Sequence, residues 1–239
     1  IGGILLIVGT SFGAGMLALP LATAAGGFDH AALLMLAIWA LMTIGAFYVL
    51  ETCMCLPEGS NLVSMARATL GRTGSLIMWA VYLLLLYSLV SAYVAGGRDL
   101  VINLLNLVHI QVGDITAIIV FIILFGGFVA WGIHAVDWAN RTLMAVKLTA
   151  YFILVALIVP YVHWQQLSAG RFSYLGAAVM PVITSFGYAI IMPSLRTYFK
   201  SDVKKLRTVI TVGSLMTLML YVIWDAVVQG SLPLTGSAS

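Results

Sequence analysis

Charged residues are scarce in this chain. Lysine and arginine number 11 and aspartate and glutamate 8, so 8% of the 239 residues are charged, whereas a soluble domain carries about 25%. The net charge is only +3 and the basic residues stand in short stretches, which argues against a nucleic-acid partner. The two cysteines, Cys53 and Cys55, are two apart on a predicted helix, so neither a disulfide nor a zinc site is expected.

Catalytic signatures are missing as well. The four histidines fall at the ends of apolar segments, and the sequence has no HExxH stretch and no Ser/His pair typical of an intramembrane hydrolase. We therefore predict that the protein is not an enzyme and binds no metal.

Apolar residues make up 62% of the chain, and the mean hydropathy is +1.11. No soluble fold of this length could bury so much apolar surface, so the solvent must be lipid. We predict an all-α polytopic membrane protein and a short cytoplasmic amphipathic helix at about residues 61–70. The predicted spans are seven: roughly residues 1–25, 30–56, 75–105, 114–133, 138–162, 175–199 and 204–232.

We predict a membrane span at the start of the sequence and a separate tail at its end. No basic region precedes the first apolar segment and no small-residue cleavage site follows it, so it is read as a first span and not as a signal peptide. Residues 233–239 are set apart as a tail, which resembles an added scar or linker.

Basic residues between the predicted spans indicate an orientation. If the N-terminus is cytoplasmic, the cytoplasmic side carries Arg67, Arg72, Arg141, Arg196, Lys200, Lys204, Lys205 and Arg207. The outer side then carries only Arg98 and Arg171. The positive-inside rule predicts this orientation. It argues against a seven-span receptor, whose N-terminus would normally lie outside, although a channel or receptor-like protein stays open as an alternative.

The sequence Thr-Ser-Phe-Gly occurs twice, at residues 10–13 and 184–187. Each copy lies in a long apolar segment, and each is followed by a proline, Pro20 or Pro193. The copies lie in predicted spans 1 and 6, so a repeat holds five spans, and because five is an odd number the second copy would be inverted relative to the first. This predicts a repeat of residues 1–175, holding spans 1–5 and the amphipathic helix, with residues 176–232 as the start of an inverted second repeat.

Glycine and hydroxyl residues in the middle of a span predict a break in the helix. Unwound backbone in a membrane is tolerated only where it lines a cavity or is buried in protein. Freed N–H groups at the start of a half-helix can bind a carboxylate, and freed carbonyls at the other break can accept bonds from an ammonium. Two such breaks predict a site for a zwitterionic amino acid. The alternative is that these small residues serve close helix packing.

The residues around the breaks resemble those of a known family. The matching stretches are 9–22, 184–188 and 145–147, with Leu50-Glu51, Tyr87, Ala92-Tyr93, Val136-Asp137, Asn140-Arg141 and Pro193-Ser194. With them the chain resembles the hydroxy and aromatic amino acid permeases of bacteria, within the amino acid–polyamine–organocation superfamily. The family includes tyrosine- and tryptophan-specific transporters.

This resemblance covers essentially the whole chain and implies a LeuT-like fold of five plus five spans, with spans 1 and 6 broken. It also implies a multi-pass protein of the bacterial inner membrane that imports an aromatic amino acid by alternating access, with tyrosine favoured over tryptophan. A bundle of spans 1, 2, 6 and 7 would rock against a scaffold that contains spans 3 and 4.

Two departures from the family stand out. Ala189 and Ile190 occupy positions where family members often carry a histidine and a small residue, so no role of that histidine carries over. The family also has more spans than the seven read here. A chain that ends after the seventh is expected to be a fragment that does not transport by itself.

The predicted substrate-binding residues come from both breaks and from span 3, which lines the site in this fold. They are Gly9, Thr10, Ser11, Gly13, Ala14, Gly15, Tyr87, Tyr93, Thr184, Ser185, Phe186, Gly187 and Tyr188. The aromatic members would form a pocket wall. The alternative is that these rings face lipid or the protein core.

Ionisable residues inside predicted spans are candidates for ion coupling. In some proton-coupled relatives a lysine of span 5 occupies the place of sodium, and Lys147 would match it, so we predict proton symport with no other cofactor. Lys147 could instead snorkel to the interface. Glu51 is a second proton-coupling candidate, or else a structural partner of an arginine such as Arg141. Asp225, deep in span 7, stays open between pairing and a transport role. The alternatives in function are a sodium-coupled or a broader-specificity amino acid permease.

Overall fold

The computed structural model describes residues 2–13, 15–167 and 170–231, and within these residues it is helical with no strand. Nine α-helices occur in this part of the chain, joined by turns and short 3-10 helices. They are α1 Gly2–Ser11, α2 Gly15–Thr23, α3 Phe28–Met54, α4 Leu62–Leu107, α5 Asp114–Ala130, α6 Ile133–Ile158, α7 Val179–Ser185, α8 Met192–Tyr198 and α9 Val203–Ser231. The all-α prediction is confirmed. The predicted tail lies outside the described residues.

Five helical segments among the described residues are long and apolar enough to cross a bilayer. They are Phe28–Met54, Leu62–Leu107, Arg141–Tyr161, Phe172–Tyr198 and Val203–Ser231. The other two predicted spans correspond to shorter apolar helices. The first is divided between α1 and α2, and the fourth is α5, which has 17 residues. The count of seven spans therefore stays a prediction.

The predicted amphipathic helix is followed directly by the next span, and a kink at Gly71 separates the two helical parts. α4 begins at Leu62 and runs on past Gly71, whose φ of 72° and ψ of −161° bend the chain between the two parts. Glycine adopts such a positive φ without a steric penalty. Before the bend, Asn61 Oδ1 accepts a hydrogen bond from Ser64 N at 2.9 Å and Ser64 Oγ accepts one from Asn61 N at 2.8 Å. This reciprocal pair caps the helix start.

The chain divides into two compact units, residues 1–65 with 150–239 and residues 66–149. The second holds most of α4, all of α5 and the first part of α6. Within it, Gly97 of α4 lies against Phe121 of α5, where an added Cβ would be 2.3 Å from the ring. Arg98 pairs with Asp99 at 2.7 Å and with Asp114, the first residue of α5, at 3.6 Å. The predicted repeat boundaries remain a prediction.

The first unit is built around α9, which packs against α1, α2 and α3. Buried residues line α9 from Leu206 to Gly230. Asp202 caps its start, because its Oδ1 accepts a hydrogen bond from Lys205 N at 3.1 Å. This bond and the Lys205 ammonium, 3.0 Å from Asp202 Oδ2, lower the pKa of Asp202. The cap fixes where the longest helix of this unit begins.

Arg196 hydrogen-bonds to backbone carbonyls at the C-terminal end of α3. Its side chain is buried, and Nη1 donates hydrogen bonds to the carbonyl of Cys53 and, at 3.3 Å, to that of Pro57. Its Nε lies 3.2 Å from Ser201 Oγ, which in turn donates to Glu58 Oε1 at 3.1 Å. A cation at these last carbonyls satisfies groups that the helix leaves without partners.

Replacing Arg196 by methionine is expected to lower the free energy of unfolding by about 2–3 kcal/mol, since charge-assisted hydrogen bonds to buried carbonyls would be lost. Thermal unfolding of the purified full-length protein in detergent measures this. The control is Arg207→Met, because Arg207 makes an exposed 3.6 Å pair with Glu51, which contributes less than about 1 kcal/mol. Equal effects of the two substitutions would contradict this role of Arg196.

Candidate functional site

Both copies of Thr-Ser-Phe-Gly end a helix at their serine. α1 ends at Ser11 and α2 begins at Gly15, whereas α7 ends at Ser185 and a 3-10 turn begins at Tyr188. Gly13 N donates to Ser11 O at 2.8 Å, and Gly187 N donates to Thr184 O at 3.3 Å. In the first copy Phe12 N still donates to Val8 O at 2.7 Å, so the backbone leaves α-helical hydrogen bonding at Gly13. In the second copy it leaves already at Phe186, whose N–H donates to Ile183 O at 3.2 Å. The N–H of Gly13 is used within its own break.

The two copies also share one pattern of burial. In each, the threonine is exposed, the serine and phenylalanine are buried and the glycine is half-buried. Thr10 Oγ1 donates to Leu6 O at 2.8 Å, and Thr184 Oγ1 lies 2.9 Å from Pro181 O and 3.1 Å from Met180 O, so both threonine hydroxyls bond carbonyls of the preceding turn. Gly9, just before the first copy, is half-buried in α1, and Ala14 lies outside the described residues. The repeat is therefore one of local structure as well as of sequence.

The two breaks lie directly against each other at Gly15. A Cβ added at Gly15 would be 2.3 Å from Ser185 Oγ, 3.1 Å from Ser185 Cβ and 3.2 Å from the hydroxyl of Tyr221. Only a residue without a side chain fits there. The sequence predicted Gly15 for its conformational freedom, and the structure adds a close approach of α2 to the end of α7.

Tyr221 of α9 joins the two breaks by its hydroxyl. The group donates a hydrogen bond to the carbonyl of Ser11 and lies 3.4 Å from the carbonyl of Ser185, the corresponding residue of the other copy. The side chain is fully buried. Sequence reasoning missed this residue. The signal for it was weak: a tyrosine in an apolar helix needs a polar partner for its hydroxyl.

Aromatic rings surround this bridge. The ring centroids of Phe12 and Phe186 lie 6.0 and 5.5 Å from that of Tyr221. Tyr151, also missed from the sequence, packs edge-on against Phe12 at 5.2 Å and donates its hydroxyl proton to Leu220 O at 2.9 Å. Such pairs contribute about 0.5–1.5 kcal/mol beyond burial. Phe186, predicted as a pocket wall, is fully buried in this cluster.

Tyr188, the residue after the second break, points to α3. Its hydroxyl lies 2.5 Å from Thr43 Oγ1, and its side chain is fully buried. Either hydroxyl can be the donor. The structure therefore brings Tyr188 into the packed part of the first unit together with Ser185 and Phe186.

One hydroxyl at the breaks has no partner in the described part of the chain. Ser11 Oγ is buried and makes no hydrogen bond there, whereas Ser185 Oγ donates to Pro181 O at 2.7 Å. Buried polar atoms are nearly always satisfied, so an orphan is a place where a ligand or water can bind. It lies at the break that precedes the N-terminus of α2.

The remaining predicted residues lie elsewhere. Glu51 is exposed and pairs with Arg207 of α9 at 3.6 Å. Tyr87, Tyr93 and Lys147 belong to the second unit. Both tyrosines expose more than half of their side chains, and Lys147 is half-buried. Their part in the site stays a prediction. Within the described residues no group of three potential metal ligands occurs.

Comparison with known proteins connects this geometry to transport. The model of the tryptophan/tyrosine permease family matches residues 1–237. Tyrosine-specific transport system 1 of Haemophilus influenzae is 36% identical over 97% of this chain and 58% of the relative. The tryptophan-specific transport protein of the same organism is 29% identical over 98% and 59%, and glutamine transporter 2 of Aliivibrio fischeri is 29% identical over 97% and 61%.

The chain thus spans about three fifths of the length of these relatives. No solved structure shows significant similarity to it. Family membership and the apolar helices make the chain a membrane protein, and transport proteins as relatives agree with the prediction that it is not an enzyme.

Gly15→Ala is expected to lower the free energy of unfolding by about 1–3 kcal/mol, because the new methyl group has to displace Ser185. The matched control is Gly45→Ala in α3, where an added Cβ meets nothing within 4 Å and helix propensity favours alanine by up to about 1 kcal/mol. Thermal unfolding of the purified full-length protein compares the two. A Gly15→Ala protein as stable as Gly45→Ala would contradict the close approach of the breaks.

Proposed function

The chain belongs to the tryptophan/tyrosine permease family, and on that premise we propose that it serves in a secondary active transporter that imports an aromatic amino acid. The observation that carries the proposal is the meeting of two like breaks, from distant parts of the sequence, at Gly15 and Ser185. Helix breaks of this kind form the substrate sites of transporters built from inverted repeats. The first substrate-facing atoms we assign are the backbone of both breaks and the hydroxyl of Ser11, which has no partner among the described residues.

The partial charges of the helix ends at the two breaks are complementary to those of a zwitterion. α2 presents its N-terminal, positive end at the first break, which favours the substrate carboxylate. α7 presents its C-terminal carbonyls at the second break, which favours the ammonium group. The rings of Phe12, Phe186 and Tyr221 stand beside both breaks, so an aromatic side chain would find an apolar surface there.

Tyrosine is the substrate we favour. Two relatives named as tyrosine-specific transport systems are 36% and 32% identical to this chain, against 29% for the tryptophan-specific protein and the glutamine transporter. The glutamine transporter is the reason to keep a second candidate, a permease of broader amino acid specificity.

The fold of the proposed transporter is LeuT-like, with two inverted repeats of five spans, a cytoplasmic N-terminus and a place in the bacterial inner membrane. The division into units supports alternating access. Predicted spans 1, 2, 6 and 7 belong to one compact unit and spans 3 and 4 to the other, which is the division between a moving bundle and a scaffold that the resemblance implies. Proton symport, with Lys147 and Glu51 as the sequence-derived candidates, drives the cycle.

Uptake of labelled tyrosine into liposomes that contain the full-length protein tests the proposal. An inward proton gradient is expected to drive accumulation, with unlabelled tyrosine the strongest competitor, then tryptophan and phenylalanine, and glutamine the weakest. Replacing sodium by potassium is expected to change nothing. Strong competition by glutamine would favour the broader permease, and sodium dependence would favour the sodium-coupled one. No uptake of any amino acid by folded protein would contradict transport.

Tyr221→Phe in the same assay tests whether the two breaks form the site. Loss of the hydroxyl that joins the Ser11 and Ser185 carbonyls is expected to lower tyrosine uptake at least about tenfold, an energy change of about 1.4 kcal/mol or more. Tyr48→Phe is the control, since Tyr48 is an exposed residue of α3 in the same unit. Equal uptake by the two variants would show that the bridge does not matter for transport.

A further inference from the structure

A fully buried carboxyl group lies one helical turn beyond the tyrosine bridge. Asp225 of α9 has no exposed surface, and within the described residues no lysine, arginine or histidine pairs with it. Its Oδ1 lies 2.8 Å from Thr23 Oγ1 at the end of α2. Its Oδ2 accepts a hydrogen bond from Gln229 Nε2 at 2.8 Å. A buried carboxylate without a cation is costly, and inside a membrane it marks a functional group.

The number of hydrogen atoms available for hydrogen bonds in this network favours the neutral form of Asp225. Thr23 Oγ1 has one hydrogen, yet two acceptors lie within reach: Leu19 O at 2.7 Å and Asp225 Oδ1 at 2.8 Å. The same oxygen accepts a bond from Gln229 Nε2 at 3.0 Å. If Asp225 carries a proton, it donates to Thr23, which donates to Leu19, and both Asp225 oxygens and the Thr23 hydroxyl have partners. If Asp225 is ionised, Thr23 must turn from Leu19 to the carboxylate.

No other ionisable group stabilises the charged form in the described part of the chain. α9 packs against α1 and α2, which carry no ionisable side chains, and against α3 and the 3-10 turns Val159–Tyr161 and Trp164–Gln166. Tyr151 of α6 also contacts α9, at Leu220 and Trp224. The ionisable side chains on or beside all these elements and one turn away on α9 itself are Asp29, His30, Tyr48, Glu51, Cys53, Cys55, Tyr151, Tyr161, His163 and Tyr221. None of them hydrogen-bonds or pairs with Asp225.

We propose that the carboxyl group of Asp225 binds and releases the coupling proton, and that Thr23 transmits its state to α2. This rests on the proposed proton symport and adds a residue to it. When the proton leaves Oδ1, the Thr23 hydroxyl leaves Leu19 O and bonds the carboxylate. Thr23 ends α2, and Gly15 at its other end packs against Ser185, so the charge of Asp225 acts on the helix that forms the first break.

Liposomes with the full-length protein separate this role from substrate binding. Asp225→Asn keeps the donor and acceptor pattern of the neutral acid, because its Nδ2 can donate to Thr23 and its Oδ1 can accept from Gln229. The variant is expected to exchange external for internal tyrosine at equal pH, while accumulation driven by an inward proton gradient falls at least tenfold. Asp29→Asn, the same substitution at an exposed residue of α3, is the control and keeps both activities.

A second pair of variants covers the case in which Asp225→Asn loses exchange too. Thr23→Val removes the hydroxyl at nearly constant volume and is expected to shift the pH dependence of uptake, whereas Thr23→Ser keeps the hydroxyl and leaves it unchanged. Gradient-driven accumulation by Asp225→Asn at the unmodified level, or an unshifted pH dependence in Thr23→Val, overturns the assignment. Exchange without gradient-driven accumulation in the unmodified protein overturns proton symport itself, which is a different result.

Discussion

The contact between two interrupted helices is the constraint on which the first unit depends. Gly15 leaves no room for a side chain against Ser185, and Tyr221 holds the Ser11 and Ser185 carbonyls at one hydroxyl group. Backbone that has left a helix inside a membrane must find partners in the protein. Here each break satisfies its glycine N–H within its own segment, and Tyr221 of α9 supplies a donor to the carbonyls of Ser11 and Ser185. A substrate that used the same backbone groups would therefore have to affect both breaks together.

The same two helices connect this contact to a buried acid. Tyr221 and Asp225 are one turn apart on α9, and Gly15 and Thr23 are the two ends of α2. α2 thus touches the second break at one end and the Asp225 network at the other. A change of charge at Asp225 and a change of ligand at the breaks would act on a single nine-residue helix. This is the kind of shared element through which two sites can be coupled.

The sequence predicted the helical class, the positions of most helices and the two breaks, because these follow from apolar length and from glycine and hydroxyl residues in mid-span. It did not predict Tyr221, Tyr151 or the capping role of Arg196. Their partners are backbone carbonyls far away in the sequence. Every residue type has such a carbonyl, so the sequence does not indicate which one is bonded. Gly15 was chosen for its flexibility, whereas its packing against Ser185 depends on a helix 170 residues later. The amphipathic helix was predicted within a residue of its start, but the kink at Gly71 that joins it to the next span without a loop was not.

A double-mutant cycle between the two breaks tests the central claim most directly. Gly15→Ala, Ser185→Gly and the double variant of the full-length protein would be compared by thermal unfolding. If the breaks touch, removing the Ser185 side chain makes room for the new methyl group, and the double variant is more stable than the sum of the single changes predicts, by about 1–3 kcal/mol. Additive effects would mean that residues 15 and 185 do not meet, and would contradict a site formed by the two breaks.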